Sequence, residues 1–318
     1  MKPVRSIAAL VILAAVFAAC GSASGDLGTL PPASPSPAPS LGSEAPDVTP
    51  GTSPSPTAVP TGSPEVTPSP SGETKIVRAY FVLGGDPDTD GLVPYLFEVP
   101  TTQAIATAAI NALFNSSTID GDRPAELSSS IPAGTKLLGL TIENGIATID
   151  LSSEFESAGG PPSTVYRLGQ VVYTLTQFST VKSVVFQIEG QTVTVFSSEG
   201  IVLDGPVSRK TYIDLLPAIF VDRPAFGAAL GNPGRVTGSA QGVFEATFRV
   251  AVLDANGKSI VDEMVMAACM CESGAFDTTV RYDVSKAQWG TLRVYTHSAK
   301  DGSVIAQRDY PVWLTPAS

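Results

Sequence analysis

Residues 131–155 read IPAGTKLLGLTIENGIATIDLSSEF, and two strand-like runs in this stretch flank Asn144-Gly145. Asn-Gly is the strongest two-residue hairpin signal, because a type I′ turn needs positive φ angles at both of its central residues. Polar and apolar residues alternate along the second run, 146–151, as expected of a half-buried strand. The stretch therefore predicts a β-hairpin formed by residues 136–143 and 146–151.

A helix followed by a hairpin occurs twice around this stretch. The first helix is predicted with Thr102 as its N-cap and with apolar residues at helical spacing. The second helix is predicted to be capped by Ser163, and it leads into a second hairpin around Glu189-Gly190. Two further strands, Lys75–Leu83 and Leu92–Val99, come first in the chain. We expect an α+β layer fold, in which two helices cover one face of a mixed sheet.

Several ordered segments carry a family resemblance: VRAYFVL at 77–83, LVPYLFEVP at 92–100, the hairpin sequence at 131–155, and VVYTLTQFSTVKSVVFQIEG at 171–190. Together they resemble a GerMN domain, the family named after the spore-germination protein GerM, across most of residues 75–212. The resemblance implies an exported or membrane-anchored protein whose domain has no established catalytic site. It also implies a similarity to the small ring-building folds that are used for assembly at membranes.

From Pro217 onward the sequence changes to seven short strand-like runs separated by turn residues. Strands of this number and spacing are typical of an immunoglobulin-like sandwich. Apolar residues alternate with polar ones from Phe244 to Val252, which predicts that Phe244 faces the core. We interpret Trp289 and Trp313 as core or edge packing residues rather than as a ligand platform. The second folded part is therefore expected to be an all-β sandwich.

Residues 213–318 also resemble a known domain, the immunoglobulin-like domain found beside GerMN domains in bacterial germination and sporulation proteins. The stretches that carry this resemblance are PGRVTGSAQGVFEATFRVAVLDANG at 233–257 and GTLRVYTHSAKDGS at 290–303. The order of the two resemblances along the chain supports both of them. The fold class expected for the whole chain is a GerMN-like α+β domain followed by an immunoglobulin-like sandwich.

The first 20 residues, MKPVRSIAALVILAAVFAAC, resemble the signal peptide of a bacterial lipoprotein. Lys2 and Arg5 precede an apolar run that is too short to be counted as a membrane span. Cys20 follows small residues and is predicted to carry a lipid that anchors the mature chain. The alternative is an ordinary signal peptide that leaves Cys20 as an unmodified cysteine. We expect an extracytoplasmic protein that is lipid-anchored to the bacterial cell membrane.

Residues 21–74 contain 13 of the 27 prolines and no Lys, Arg or aromatic residue. Such a segment buries too little apolar surface to offset the entropy of ordering it, so it is predicted to be a disordered linker. Polyproline-like conformers rise about 3.1 Å per residue, which gives a reach on the order of 100 Å. The predicted organisation is a signal peptide over 1–20, a linker over 21–74, and domains over 75–212 and 213–318.

The charge balance excludes some classes of partner. The chain has 30 acidic and 19 basic residues and a formal net charge of -11, with no cluster of Lys and Arg. We therefore expect no nucleic-acid partner, because affinity for phosphate backbones depends on cationic side chains. His297 is the one histidine, which disfavours histidine-based metal sites and most acid–base catalysis near neutral pH. No cofactor is expected.

Two motifs suggest ion binding or crosslinking. Asp86, Asp88 and Asp90 begin a D-x-D-x-D-G pattern that is typical of calcium loops, but the glutamate expected at loop position twelve is absent. A weak calcium site and a solvated turn both remain open. Cys269 and Cys271 are separated by one residue, so they form either a small-loop disulfide or a reduced pair.

No residue pattern in the chain points to a catalytic site. Nucleophile-elbow, P-loop and zinc-peptidase motifs do not occur. Asp150 and Glu154 are paired carboxyls in sequence, so a hydrolase stays as the least favoured hypothesis. We expect a non-catalytic binding or assembly module of the cell envelope, of the sporulation and germination type, that contacts a protein partner. The alternative is a protein that binds a cell-wall polymer or glycan.

Overall fold

The computed structural model describes residues 73–84, 90–115, 126–157, 159–196, 200–269 and 273–317. The predicted signal peptide and all but the last two residues of the predicted linker lie outside the described residues. Among the described residues, no helix has both the length and the apolar character needed to cross a membrane.

The first part of the described chain contains two α-helices and nine strands. The strands are β1 (Thr74–Leu83), β2 (Gly91–Pro100), β3 (Leu127–Ser128), β4 (Leu137–Glu143), β5 (Ile146–Leu151), β6 (Ser183–Ile188), β7 (Gln191–Thr192), β8 (Val195–Phe196) and β9 (Ile201–Val202). The α-helices are α1 (Ile105–Asn115) and α2 (Pro161–Leu175), and 3-10 turns lie at Ser153–Glu156 and Arg209–Leu215.

These strands are divided between two principal sheets. The first is antiparallel, in the order β2-β1-β3, and the second is mixed, in the order β4-β5-β6-β7, with β5 and β6 parallel. Strands β8 and β9 form a separate antiparallel pair. The helices α1 and α2 pack against each other and against strands of both principal sheets. The predicted α+β class is confirmed, although the strands expected in one sheet are shared between two.

Both predicted hairpin turns are present. Asn144 and Gly145 have φ angles of 50° and 84°, and Glu189 and Gly190 have φ angles of 48° and 77°. Two consecutive residues with positive φ are the signature of the type I′ turn, whose twist matches that of the flanking strands.

The predicted helix starts were wrong by two or three residues. Helix α2 begins at Pro161 with Gly160 as its N-cap, so Ser163 lies inside the first turn. Proline fits the first turn because the N–H group that it lacks would have no partner there. Helix α1 begins at Ile105, and the hydroxyl of Thr102 accepts a bond from the Ala104 N–H at 3.1 Å in the turn before it.

Polar side chains of α2, together with Gln177 just beyond its C-terminal end, complete the hydrogen bonding of β1. Strand β1 pairs with β2 along its whole length, but with β3 only at its last two residues. At Arg78 the backbone N–H donates to Gln177 Oε1 at 2.8 Å, and Gln177 Nε2 donates to the carbonyl at 2.6 Å. At Tyr80 the N–H donates to Thr174 Oγ1 at 3.2 Å, and Gln170 Nε2 donates to the carbonyl at 2.8 Å. The helix therefore takes the place of a neighbouring strand.

The second part of the described chain is a sandwich of two sheets. The strands are β10 (Ile219–Arg223), β11 (Ala229–Leu230), β12 (Gly234–Ala240), β13 (Thr247–Leu253), β14 (Ser259–Met266), β15 (Gly274–Val280), β16 (Gln288–His297) and β17 (Val304–Leu314), with a 3-10 turn at Phe244–Ala246. One sheet has the order β10-β12-β15, and the other has the order β11-β17-β16-β13-β14. The predicted immunoglobulin-like class is confirmed.

Phe244 was predicted to face the core, but it does not. Glu245 and Ala246 have φ angles of 51° and 54°, which break the extended conformation just before β13. The side chain of Phe244 is 61% exposed as a result, whereas Phe248 is buried. Alternation in the sequence could not reveal this turn, because neither residue with positive φ is a glycine.

One hydrophobic core runs through both parts. A single cluster of buried apolar residues extends from Tyr80 in β1 to Val312 in β17. The junction also has backbone bonds, since the Phe226 N–H donates to the Pro94 carbonyl at 2.9 Å. The predicted boundary between residues 212 and 213 falls within the 3-10 turn Arg209–Leu215.

Candidate functional site

The main candidate site is a cleft between the α+β part and the sandwich. It begins at a cluster in which the Arg209 guanidinium packs on two tyrosine rings, with its Cζ 5.4 Å from the Tyr80 centroid and 4.8 Å from the Tyr173 centroid. The two rings are themselves 5.3 Å apart. Cation–π contacts of this kind strengthen when the partners are shielded from water. The cluster joins strand β1, helix α2 and the 3-10 turn at 209–215.

Hydrogen bonds fix the position of the Arg209 guanidinium. Its Nε donates to Thr176 Oγ1 at 2.8 Å, and its Nη2 donates to the Tyr173 carbonyl at 3.2 Å and to the Tyr80 hydroxyl at 3.1 Å. The Tyr80 hydroxyl in turn donates to Asp222 Oδ1 of strand β10 at 2.9 Å. A continuous chain of bonds therefore crosses from α2 to the sandwich.

The tyrosines of this cluster act as hydrogen-bond donors rather than as acids. Burial raises the pKa of the Tyr173 phenol to about 12, and burial raises the pKa of Tyr80 further. Desolvation disfavours the phenolate, so both hydroxyls keep their protons at neutral pH. Both phenols therefore stay uncharged under physiological conditions, and the hydrogen bonds and ring contacts hold the network in place.

The cleft that opens beside this cluster has a volume of ≈ 1010 Å³. Its apolar lining comes from both parts of the chain and includes Leu216, Phe220 and Phe276. The charged groups that line it are four cations and two carboxylates: Arg209, Lys210, Arg223, Arg235, Asp222 and Asp277. The lining therefore has a cationic excess, although the chain as a whole is acidic. An anionic ligand is the electrostatic complement of such a surface.

One side of the cleft depends on a glycine. Gly238 lies in the middle of the central strand β12 and pairs with Val221 and Phe276. A Cβ atom built at this position would lie against the backbone carbonyl oxygen of Phe220, at a separation that real atoms cannot reach. Only glycine permits this close approach of backbone and neighbouring aromatic side chain.

The residues singled out from the sequence lie elsewhere. Cys20, Asp86 and Asp88 are outside the described residues, and Asp90 lies on the surface immediately before β2. The weak calcium site therefore stays a prediction. Within the described residues, no group of three or more His, Cys, Asp and Glu side chains is placed to hold a metal ion.

Cys269 is a disulfide-bonded cysteine, and Cys271 lies outside the described residues. The pairing of these two residues therefore stays a prediction.

The paired carboxyls considered for a hydrolase have structural surroundings. Asp150 Oδ1 accepts a bond from the Gly190 N–H at 2.8 Å and so holds the turn of the second hairpin. The Ser152 hydroxyl lowers the pKa of the exposed Glu154 carboxyl by hydrogen bonding. A glycosidase acid needs the opposite shift, because it must be protonated to donate to the leaving group.

Sequence reasoning missed the residues that build the cleft. Arg209 and Tyr80 are 129 positions apart, and nothing in their local sequence marks them as partners. A weak signal was available at Arg209-Lys210, two adjacent cations in a chain with few of them.

Each of the two parts of the described chain matches a protein-family model. Residues 78–194 match the family model Germane, described as sporulation and spore germination. Residues 218–303 match the family model Gmad2, described as the immunoglobulin-like domain of bacterial spore germination. The chain contains a Germane domain followed by a Gmad2 domain. Both resemblances predicted from the sequence are confirmed, and the cleft lies between the Germane and Gmad2 domains, with Arg209 in the segment that connects them.

Two solved structures of the Bacillus subtilis sporulation protein GerM are similar to this chain. The first GerMN domain of GerM is 23% identical, with a TM-score of 0.38, and the match covers 43% of this chain and 99% of that one. The tandem GerMN domains of GerM are 16% identical, with a TM-score of 0.39, and the match covers 77% of this chain and 62% of that one. Among proteins with curated descriptions, none matches this chain.

Proposed function

We propose that this Germane–Gmad2 protein is a non-catalytic binding and assembly module of the cell envelope, and that the cleft between its domains receives an acidic segment of a partner protein. The observation that carries the proposal is the cationic excess of the cleft lining in a chain with a net charge of -11. Both domains belong to families described by sporulation and spore germination.

The exposed cations are suited to an acidic partner. The Arg223 side chain is 58% exposed and lies 3.9 Å from Asp222. The Arg235 side chain is 65% exposed and forms a bidentate pair with Asp277, at 2.9 Å and 2.5 Å. Guanidinium groups recognise carboxylates through two parallel bonds, so they give geometric selectivity as well as attraction. Because Asp277 already occupies the fork of Arg235, a partner carboxylate would bind Arg235 by displacing Asp277, whereas Arg223 has a weaker internal competitor. The apolar floor of the cleft would receive the uncharged side chains of the same segment.

The rigid support of the cleft favours the binding of a partner. The tyrosines, Arg209 and Asp222 bond to each other, so the site is preorganised and a partner pays little entropy to order it. This supports the assignment of a binding role.

The same proposal places the protein outside the cytoplasm, on a lipid at Cys20. Its support is the sequence of the first 20 residues and the proline-rich segment that follows them. A lipid at one end of a long extended segment would hold the two domains near the membrane while leaving them able to reach partners.

A second candidate function, binding to a cell-wall polymer or glycan, is favoured by one observation. Trp289 and Trp313 lie opposite each other on β16 and β17, with ring centroids 5.4 Å apart. They are 54% and 36% exposed, so they do not lie in the core, which was one of the two positions predicted for them. Exposed aromatic faces carry partial negative charge and attract the polarised C–H groups of sugar rings. This surface belongs to Gmad2 alone and is separate from the cleft lining.

Photo-crosslinking in the native envelope tests the proposal. A photoreactive amino acid at Thr237, in the cleft lining, should capture one defined protein, and the same group at Ala255, in an exposed turn, should not. The double variant Lys210→Glu and Arg223→Glu should lower capture at Thr237 at least tenfold, because it reverses two of the cleft charges.

Three results would contradict the proposal. Equal capture from positions 237 and 255 would show no preference for the cleft. Capture that the charge reversal leaves unchanged would remove the electrostatic argument. Retention on isolated cell wall that is lost only in Trp289→Ala would favour the polymer-binding function instead. Mass spectrometry of the mature amino terminus tests the anchor separately, since an unacylated Cys20 would refute it.

A further inference from the structure

A second cluster in the Gmad2 domain carries soft metal-ligating side chains. The chain has four methionines and one histidine, and three of the methionines lie within residues 264–270. Met264 and Met266 are 71% and 68% exposed, and His297 is also exposed. Methionine is among the residue types that are most often buried, so two exposed methionines side by side need an explanation.

Strand register places the three side chains on one face. Strand β13 lies between β14 and β16, and Thr247 pairs with Met266. Arg249 pairs with Met264 on one side and with Tyr295 on the other. Because β13 and β16 are antiparallel, a step of two residues back along β13, to Thr247, corresponds to a step of two residues forward along β16, to His297. Met266 and His297 are thus two strand spacings apart, about 10 Å between Cα atoms. The short side chain of Thr247 leaves the space between them open.

A cavity of ≈ 260 Å³ lies over this part of the sheet. Met264, Thr247 and His297 line it together. Met266, which pairs with Thr247, lies at the edge of this cavity and lines the cleft between the two domains. Phe244 forms one wall, because the positive φ angles of the turn after it direct its ring outward. The methionine side chains have three rotatable bonds each, so their sulfur atoms can adjust to an ion held above Thr247.

The nearby positive charge is already neutralised. Arg249 also lines the cavity, and its Nε lies 2.7 Å from Asp262 Oδ1. The other carboxylate oxygen of Asp262 accepts a bond from the Tyr295 hydroxyl at 2.9 Å. The guanidinium is therefore held by a carboxylate and adds little repulsion toward a cation.

We propose that Met264, Met266 and His297 form a binding site for Cu(I). Two thioethers and an imidazole are soft and borderline ligands, and such a set selects Cu(I) over Ca²⁺, Mg²⁺ and Zn²⁺. Cys269 does not compete as a thiolate, since it is disulfide-bonded. The site shares Met266 with the lining of the cleft, but its other two ligands lie outside the cleft and it needs no partner protein.

Methionine-methyl NMR tests the site directly. The full chain carrying Cys20→Ser, which removes one competing thiol, is labelled with ¹³C at the methionine methyl groups and titrated with Ag⁺ as a redox-inert probe for Cu(I). Only four methyl signals are expected, and single Met→Leu variants assign them. The signals of Met264 and Met266 should shift until one equivalent has been added.

Affinity for Cu(I) itself is then measured by competition with a coloured chelator without oxygen. The double variant Met264→Leu and Met266→Leu should weaken binding at least tenfold, and His297→Gln should do the same. Met270→Leu is the matched control and should bind within twofold of the parent chain, as should the double variant Cys269→Ser and Cys271→Ser.

Three results would overturn the proposal. The first is the absence of a saturable shift at the methyl signals of Met264 and Met266. The second is a double methionine variant that binds Cu(I) within twofold of the parent chain. The third is an equal loss of affinity in the Met270 or cysteine controls, since it would place the ion elsewhere. Circular dichroism of each variant shows that a loss of binding does not reflect unfolding.

Discussion

Replacing Gln170 by leucine removes the carboxamide that joins helix α2 to strand β1. Gln170 is fully buried, its Nε2 donates to the Tyr80 carbonyl at 2.8 Å, and its Oε1 accepts from the Ser130 N–H at 2.8 Å. Leucine has a similar size but can do neither. The variant Gln170→Leu therefore leaves the buried Tyr80 carbonyl and the half-buried Ser130 N–H without these partners.

The expected loss follows from these two groups. A buried polar group without a partner costs about 1–3 kcal/mol, and the added apolar surface of leucine returns about 1–2 kcal/mol. Two such groups cost about 2–6 kcal/mol together, so we expect Gln170→Leu to lower the free energy of unfolding by about 1–4 kcal/mol. For a folded unit of this size, such a change lowers Tm by about 3–15 °C.

Urea unfolding followed by circular dichroism measures this loss. The denaturation midpoint should fall while the m-value stays constant, because the surface exposed on unfolding is nearly unchanged. Gln191→Leu is the matched control: Gln191 is exposed in strand β7, and its replacement should change stability by less than about 0.5 kcal/mol. A loss in Gln170→Leu no larger than in Gln191→Leu would refute the role of α2 in completing β1.

Three further changes have defined outcomes. Gly238→Ala should lower the free energy of unfolding, measured by chemical denaturation, by at least about 1–3 kcal/mol, because the new methyl group meets the Phe220 carbonyl. Gly139→Ala is the control and should leave stability unchanged, because a methyl group fits at that position. Tyr80→Phe should cost about 1–2 kcal/mol, because the hydroxyl that bridges the two domains is lost. Folding raises the Tyr173 pKa from 10.0 to about 12. The protonated phenol therefore contributes fully to the free energy of unfolding below pH 10, and this contribution is lost as the pH rises from 10 to 12. Stability measured across that range should fall less steeply in Tyr173→Phe.

Local signals in the sequence predicted the elements well. Asn144-Gly145 specifies its hairpin turn because asparagine and glycine adopt positive φ angles more readily than other residues, and the structure has that turn. The second predicted turn, Glu189-Gly190, is present as well. In both cases the information lies within a few residues, where backbone preference and hydrophobic pattern agree.

Contacts between distant residues could not be predicted in the same way. Gln170, Thr174 and Gln177 have the helical spacing of a solvated face, yet Gln170 and Thr174 are fully buried against β1. Their partners are backbone groups 90 or more positions away, which have no side-chain signature. The cleft was missed for a related reason, since Arg209 and Tyr80 meet only after the two domains have packed together.

The continuous core of the two domains limits how they can be recombined. Tyr95 of β2 forms a backbone bridge with Phe226 of the sandwich, and Phe226 is buried at the junction. A gene rearrangement that supplied a foreign Gmad2 domain would leave these apolar faces without matching neighbours. We therefore expect the two domains to be inherited together with their shared interface, rather than exchanged separately between proteins.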